Sequence, residues 1–491
     1  MKTAVVIGAG FGGLAAAALL AKHDYQVTVL EKNDSPGGRA MVWKQDGFTF
    51  DMGPSWYQMP SAFERFFGHF GKSPADFYTL HRLDPQYRFF ALSDKSETKV
   101  YDIYADPAKN YATYERIEPG SPERIQAFLQ EAKRQYELAE KYILYETWTP
   151  ADFLNPFRSI RLAGMNIYEP LKHTVRRYVR HPHLQKMLLY TVLFIGSSPD
   201  RLPGMFSMMA HLDAGIGTYY PAGGMGTVVA ALVQLGTDHS VSFRFAEPVT
   251  RIEVKNGKAV AVHTATGSYP ADVVVGNADL AFIETELLEE RWQQYPASYW
   301  SCCTIAPSAF TAYLGIERRL PDLAHHNLLI ADSWEKHFDA IYGNPSVPQH
   351  PSYYLSCPTK TDHTVAPQGC ENVFITVQLP AGLRLETAER EEYLDHILQH
   401  FITVYGVDFR PDIRVRRIFS DQDYVRYYNA YRGTALGLAT TFLQSIFRPG
   451  VRQKNVRNLF YAGQYTPPGP GVPMCLIAAE NAVREILRTN R

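Results

Sequence analysis

Residues 4–31 read "AVVIGAGFGGLAAAALLAKHDYQVTVLE", and the order of residue types in them decides the fold. An apolar run stops at Gly8, an Ala- and Leu-rich stretch follows, and a second apolar run ends on the acid Glu31. The spacing predicts strand, turn, helix, strand. Gly8 permits the tight turn, Gly10 lets the backbone approach a pyrophosphate, and Gly13 allows the helix to lie close on the strand. The helix start offers free N–H groups and a positive dipole end to phosphates. Glu31 stands where an acid can bond a ribose hydroxyl. The alternative is a glycine-rich turn in an unrelated sheet, and strand, helix, strand and acid together weigh against it. The turn after the helix commonly has Gly; here it has Asp24, which tolerates the left-handed conformation.

Six residues past Glu31 comes Gly37-Gly38-Arg39, then a short strand and Gly53-Pro54. This resembles the FAD-binding signature of the glutathione-reductase-like flavoproteins. Two glycines allow a second close approach to the cofactor, and Arg39 supplies a cation for a phosphate. The later "AGGMGTVVAAL" at 222–232 lacks the third glycine, which argues against a dedicated NADPH domain.

Helical periodicity runs through 121–144, with Ser121 as N-cap and Pro122 at the first position. Residues 167–196 also read as mainly helical. Asn256-Gly257 between two alternating runs predicts a hairpin, and 271–279 a buried strand ending in a turn. Short strands at 309–316 and 372–379 precede a helix at 387–405. The last strand and helix lie in 458–482, with Pro473 at a first helical position. Dinucleotide-type elements therefore sit at the start, middle and end. The expected organisation is a discontinuous FAD-binding domain (1–75, 220–300 and 455–491) with a substrate domain in two pieces (76–219 and 301–454). The fold class is α/β: a Rossmann-like FAD-binding domain of the glutathione-reductase/amine-oxidase type, an inserted α+β substrate domain and a helical membrane-facing part.

Lysine and arginine number 49 against 50 acids, a balance that gives no case for nucleic acid. An aromatic share of 13% suits a long apolar ligand channel, or ordinary cores. The cysteines number 5, with no Cys-x-x-Cys spacing, so neither a disulfide framework nor a zinc site is expected. His181/His183 and His325-His326 have no metal spacing, and structural or surface roles are expected for them. No secretory signal is visible, and the longest apolar stretch, 187–196, is too short to span a bilayer. A cytoplasmic protein, peripheral on a membrane, is expected. The cations Arg158, Arg161, Lys172, Arg176, Arg177, Arg180 and Lys186 are accompanied by a lone acid, Glu169. Lys172, Arg176 and Arg180 would share one helix face, which suits either a lipid-resting amphipathic helix or a solvated face.

From end to end the chain resembles the bacterial-type carotenoid desaturases, phytoene desaturase and its C30 counterpart dehydrosqualene desaturase. The resemblance is carried by residues 5–40, by "GFTFDMGPSWYQMP" (47–60), "TYYPAGGMGTVVAALV" (218–233), "LAHHNLL" (323–329), "TDHTVAPQGCEN" (361–372), "YNAYRGTALGL" (428–438) and "NLFYAGQYTPPGPGVPMCLIAAENA" (458–482). It implies FAD held by Gly8, Gly10, Phe11, Gly12, Gly13, Glu31, Lys32, Gly38, Arg39, Gly53, Pro54, Ser55, Val249, Gly463, Gln464, Gly471, Val472, Pro473 and Met474, and no metal. It implies a long polyene such as phytoene, desaturated toward lycopene by hydride transfer to flavin with proton loss, and a quinone or oxygen as electron acceptor. Val249 would bond adenine through its backbone or be a plain strand residue. Asp152 is an acid–base candidate by position, or a helix N-cap. The final helix N-terminus would face the flavin's pyrimidine edge. Many members have Thr-His-Pro-Gly-Ala-Gly where this chain has Thr466-Pro467-Pro468-Gly469-Pro470-Gly471, so a role for that His does not carry over. Gln464 stands near where related amine oxidases often have an Asp. The same scaffold also serves dehydrosqualene desaturases, carotenoid isomerases and terminal-methyl oxidases. A different class, a prenyl-lipid carrier resembling the Rab GDP-dissociation inhibitors, would bind no flavin.

Overall fold

In the computed structural model, strand Lys2–Ile7 turns at Gly8 into helix Phe11–Lys22 and returns as strand Tyr25–Leu30. The structure describes residues 1–92, 98–146, 155–156, 160–162 and 164–489. The two strands pair in parallel from Lys2 against Tyr25 to Ile7 against Leu30. Gly8 (φ +102) and Asp24 (φ +61) take the positive angles their turns need. Val273–Gly276 pairs on the other side of the first strand, Leu459–Tyr461 pairs beyond it, and Ser242–Arg244 extends the opposite edge. One parallel five-stranded sheet thus gathers segments from both ends and the middle of the chain.

Three helices cover this sheet through a shared core: Ala15 and Ala18 of the first, Leu232 of Met225–Asp238, and Leu476 and Ala479 of Val472–Thr489. The alanines let helix and sheet approach closely. Val273–Gly276 is buried at every position, as a parallel strand covered on both faces must be. A three-stranded antiparallel sheet (Val249–Lys255, Lys258–Thr264, Ser268–Pro270) stands beside it. Its Asn256-Gly257 turn has φ +51 and +69, the angles of a type I′ hairpin.

A second, mixed sheet has seven strands in the order Ile413–Phe419, Ser308–Ile316, Glu371–Leu379, Tyr353–Ser356, His326–Ile330, Tyr87–Ala91, Lys99–Ile103. Helix Thr387–Tyr405 packs Leu394, Ile397 and Phe401 against one face of it and ends at Gly406 in the left-handed conformation. The other face looks toward a helical layer built on Ser121–Ala139.

The helical regions differ from the sequence expectation in two places. Gly120, not Ser121, is the N-cap of Ser121–Ala139 (φ +71). Ser121 instead donates from its hydroxyl to the Tyr114 carbonyl, while the Glu115 carboxylate accepts from Gly120 N–H. Residues 167–196 break into Leu171–Arg176, Pro182–Leu189 and a 3-10 turn Tyr190–Leu193. The Glu118 carboxylate takes the Arg180 and His181 N–H groups at 2.9 and 2.7 Å, and Pro182 has none to offer, so no continuous helix carries Lys172, Arg176 and Arg180. Lys172 pairs with Asp200 and Glu335, Arg177 with Glu169, and Lys186 reaches the Ala331 and Asp332 carbonyls. Arg158 lies outside the described residues. No described helix is long and apolar enough to cross a membrane.

The closeness of helix to strand yields a test. A Cβ on Gly13 would stand 2.1 Å from the Gly8 carbonyl oxygen, whereas one on Gly68 meets nothing within 4 Å. Gly13→Ala is expected to destabilise the protein by about 3 kcal/mol, and Gly68→Ala to stabilise it by up to about 1 kcal/mol. Denaturant unfolding of the two variants beside the parent protein checks both signs.

Candidate functional site

A cavity of about 720 Å³ runs from the glycine loop into the helical layer. Gly8, Gly10, Phe11, Gly12, Glu31, Lys32, Gly38 and Arg39 line it from the first segment, with Gly53, Pro54 and Ser55 from the next turn. Val249 lines it from the hairpin, and Gly463, Gln464, Gly471, Val472, Pro473 and Met474 from the last segment. Gly13 sits behind the wall, against Gly8 and Asn277. Asp152 lies outside the described residues.

The residue that joins these walls is one the sequence reading gave no role, Asn277, at the end of strand Val273–Gly276. Its Nδ2 donates to the Ala462 carbonyl at 2.8 Å. Its side chain fills the space where Cβ atoms would otherwise lie: 2.9 Å from one on Gly10, 2.7 Å from one on Gly12 and 2.8 Å from one on Gly463. The glycines thus admit an amide as well as a pyrophosphate. Asn277 Oδ1 is buried without a hydrogen-bond partner. The signal was present in "VVVGNAD", a strand running straight into an amide, but a turn explained it as well.

Glu31 is buried, and burial raises its pKa against the pull of its hydrogen bonds. Its Oε2 accepts from Ala9 N–H at 2.8 Å and its Oε1 from Asn33, so it braces the glycine loop from inside the cavity. Lys32 donates to the Arg426 carbonyl and Asn429 Oδ1, pinning the mixed-sheet region to the end of the second strand. Arg39 faces fully buried Asp279 at 3.7 Å, donates to the Thr434 carbonyl at 3.3 Å and lies over the Tyr428 ring. Its Nε is buried and unpartnered. With its amide oxygen turned toward them, Gln464 accepts from Gly437 N–H and Arg39 Nη2, both at 3.2 Å. A Cβ on Gly53 would meet the Arg39 carbonyl at 2.1 Å, so that glycine serves the turn carrying Arg39.

The second glycine cluster is already filled. Asp51 accepts from Met225 and Gly226 N–H at 2.8 and 3.2 Å, closing the start of helix Met225–Asp238, and burial pushes its carboxyl up to about 6.

Beyond the glycine end, the cavity turns aromatic and apolar. Trp56 stacks on His326 with centroids 4.2 Å apart, and Tyr190, Phe194, Tyr354 and Phe374 continue the wall. Leu144, Leu162, Met165 and Met208 line the far part. His325 and His326 are interior residues, not surface ones. His326 Nδ1 lies 2.6 Å from Tyr354 Oη, which lies 2.9 Å from Ser55 Oγ. Burial lowers His325 to about 3 and drives His326 well down, so both rings are neutral. His181 accepts from His183 N–H at the start of Pro182–Leu189. Among the described residues, no group of three or more His, Cys, Asp or Glu is placed to hold a metal ion.

The polar end fits a dinucleotide. Two helices, Phe11–Lys22 and Val472–Thr489, open onto the cavity, and their first N–H groups have no acceptor within the helix. Asn277 Oδ1 and Arg39 Nε remain as unspent polar atoms, and Glu31 lines the same space.

Comparison with known proteins agrees with this geometry. Residues 11–487 match the family model of the flavin containing amine oxidoreductases. The chain is 40% identical to the carotenoid 3,4-desaturase of Haloarcula japonica, covering 98% of this chain and 97% of that protein. It is 31% identical to the zeta-carotene-forming phytoene desaturase of Myxococcus xanthus, covering 98% and 93%. An oxidoreductase structure from Methanosarcina mazei superposes with a TM-score of 0.64 at 16% identity, covering 99% and 100%, and so shares the fold.

Arg39 is counter-ion to Asp279 as well as a wall of the cavity, and its removal should be read accordingly. Arg39→Ala strands a buried carboxylate and is expected to destabilise by about 3–5 kcal/mol. Arg39→Ala with Asp279→Asn should recover most of that while still holding flavin more weakly. Thermal unfolding and flavin content of the two variants separate the roles.

Proposed function

The chain belongs to the flavin-containing amine oxidoreductases and, within them, to the carotenoid desaturases, and on that premise we propose that it desaturates the end of a long acyclic carotenoid at the 3,4 position. The protein is an FAD-binding oxidoreductase. Identity of 40% along the whole chain with a 3,4-desaturase, against 31% with a phytoene desaturase, supports the end-of-chain reaction. Conversion of phytoene toward lycopene, implied by the sequence resemblance, is the second reading, supported by the phytoene desaturases among the relatives.

FAD, when bound, supplies the acceptor for a hydride from an allylic carbon. Gly8, Gly10, Gly12 and the N-terminus of helix Phe11–Lys22 would hold its phosphates, Glu31 a ribose, and the start of Val472–Thr489 its pyrimidine edge. Residues 1–75, 220–300 and 455–491 would thus serve the dinucleotide, and the remaining pieces the polyene. Trp56, Phe194, Tyr354 and Phe374 would clamp the conjugated chain between flat faces and exclude water.

The observation that carries this reading is the continuity of one cavity from a dinucleotide cradle to an aromatic tunnel. A membrane is the source of such a substrate. Ile160, Tyr168, Leu443 and Phe447 are 51 to 85% exposed, beside Leu162, Ile167 and Phe442 of the cavity wall, and Tyr168 lies 6.0 Å from Phe442. This apolar patch, rather than the basic stretch, supports a lipid-facing mouth. A quinone within the membrane, or oxygen, would reoxidise the flavin.

Anaerobic mixing of the flavin-loaded protein with liposomes carrying either lycopene or phytoene tests the assignment. Flavin bleaching and a red-shifted product with lycopene are expected. Bleaching with phytoene alone would select the second reading, and no bleaching with either would overturn both.

A further inference from the structure

Behind the cavity wall lies a carboxylate that the reading above does not use. Asp213 is 5% exposed and sits on a wide π-helical turn, Leu212–Ile216, a local geometry that recurs at functional sites. Its Oδ2 accepts from Tyr87 Oη at 3.1 Å, while its Oδ1 is buried without a hydrogen-bond partner. Tyr190 turns its hydroxyl toward the same carboxylate, and that hydroxyl is also buried and unpartnered. The Tyr190 ring lines the cavity, 6.0 Å from Trp56, two residues past the Gly53-Pro54 turn. The groups facing Asp213 are the tyrosines Tyr87, Tyr190 and Tyr114. Arg82, on the neighbouring strand, gives its guanidinium to the Ala105 and Ile216 carbonyls. A buried carboxylate without a cation destabilises a fold, and such groups collect where a reaction needs a base.

We propose that Tyr190 and Asp213 take the proton that desaturation releases, Tyr190 facing the substrate and Asp213 accepting behind it. The proposal rests on the desaturase reading. As a hydride leaves one carbon with its electron pair for the flavin, a C–H bond on the neighbouring carbon breaks and its pair becomes the new double bond. The freed proton bonds to the Tyr190 oxygen, and the phenolic proton of Tyr190 passes to Asp213 Oδ1. Tyrosine and carboxyl both end neutral. Tyr190 is the catalytic residue here, and Asp213 acts through it.

Burial raises the Asp213 carboxyl to about 6, against the pull of the Tyr87 hydrogen bond and the nearby Tyr190 hydroxyl. The acceptor form therefore predominates above about pH 6, and the rate of flavin reduction should rise with pH through that region. Because the folded pKa lies above the unfolded value of about 3.9, the contribution to stability is present below about pH 4 and lost as pH rises through 6.

Asp213→Asn keeps the shape and removes the charge. It should slow flavin reduction by carotenoid at least about a hundredfold, flatten the rise near pH 6 and keep wild-type flavin content. Its melting temperature should exceed wild type at pH 8, with the gain shrinking toward pH 4. A merely structural carboxylate would give the opposite sign at pH 8. Tyr190→Phe should slow the reaction comparably with flavin retained. Wild-type rates in both variants, or an Asp213→Asn protein less stable than wild type at pH 8, would overturn the assignment while leaving the desaturase reading in place. A wild-type protein whose flavin no polyene bleaches would remove both.

Discussion

The site depends on one amide occupying a space that only glycine leaves open. Asn277 reaches from the end of a buried strand into the gap between the first glycine loop and Gly463, and bonds the Ala462 carbonyl. Three stretches far apart in sequence then share one wall. Larger residues at Gly10 or Gly12 would press on Asn277 at 2.9 and 2.7 Å. The glycines usually credited to a phosphate are therefore also required by the protein's own interior, before any ligand arrives.

Much of the fold was legible because local rules and tertiary structure agreed. The strand–helix–strand at the start, the Asn256-Gly257 hairpin, the strand before Asn277 and the last helix each form where the pattern placed them. That the glycine, acid and arginine positions would meet on one cavity was legible for the same reason: a motif fixes backbone shape, and backbone shape fixes which residues line the cavity. What failed was whatever depended on a distant partner. Periodicity could not show that Glu118 would take the Arg180 and His181 N–H groups and end a helix. Nor could it show that Asp279 waits behind Arg39, that Asp51 fills the second glycine cluster, or that His325 and His326 are interior. The choice of substrate and product within the family was not legible, since cavity length is not written in any single motif.

The interior also shows how buried charge is handled beside an aromatic cavity. Asp51 accepts from two N–H groups at a helix start and Asp279 has Arg39 and Tyr465, so each carboxylate is answered by a helix N-terminus or a cation. The two histidines beside Trp56 are kept neutral by burial. Asp213 stands apart, answered by phenols alone among the groups that face it. Polarity next to the aromatic wall is thus held in forms that can shift a proton without leaving a lasting charge in an apolar space.

The Asn277–Ala462 bond spans 185 residues, while the Glu31–Ala9 bond that braces the glycine loop spans 22. Loop closure therefore favours the brace early and the floor late. Such an order would leave the cleft, for a time, with one wall built and the other still open. A dinucleotide that touched both walls would bind the closed form alone and draw the chain toward it by mass action. Cofactor supply would then act on the yield of folded protein as well as on its rate of turnover.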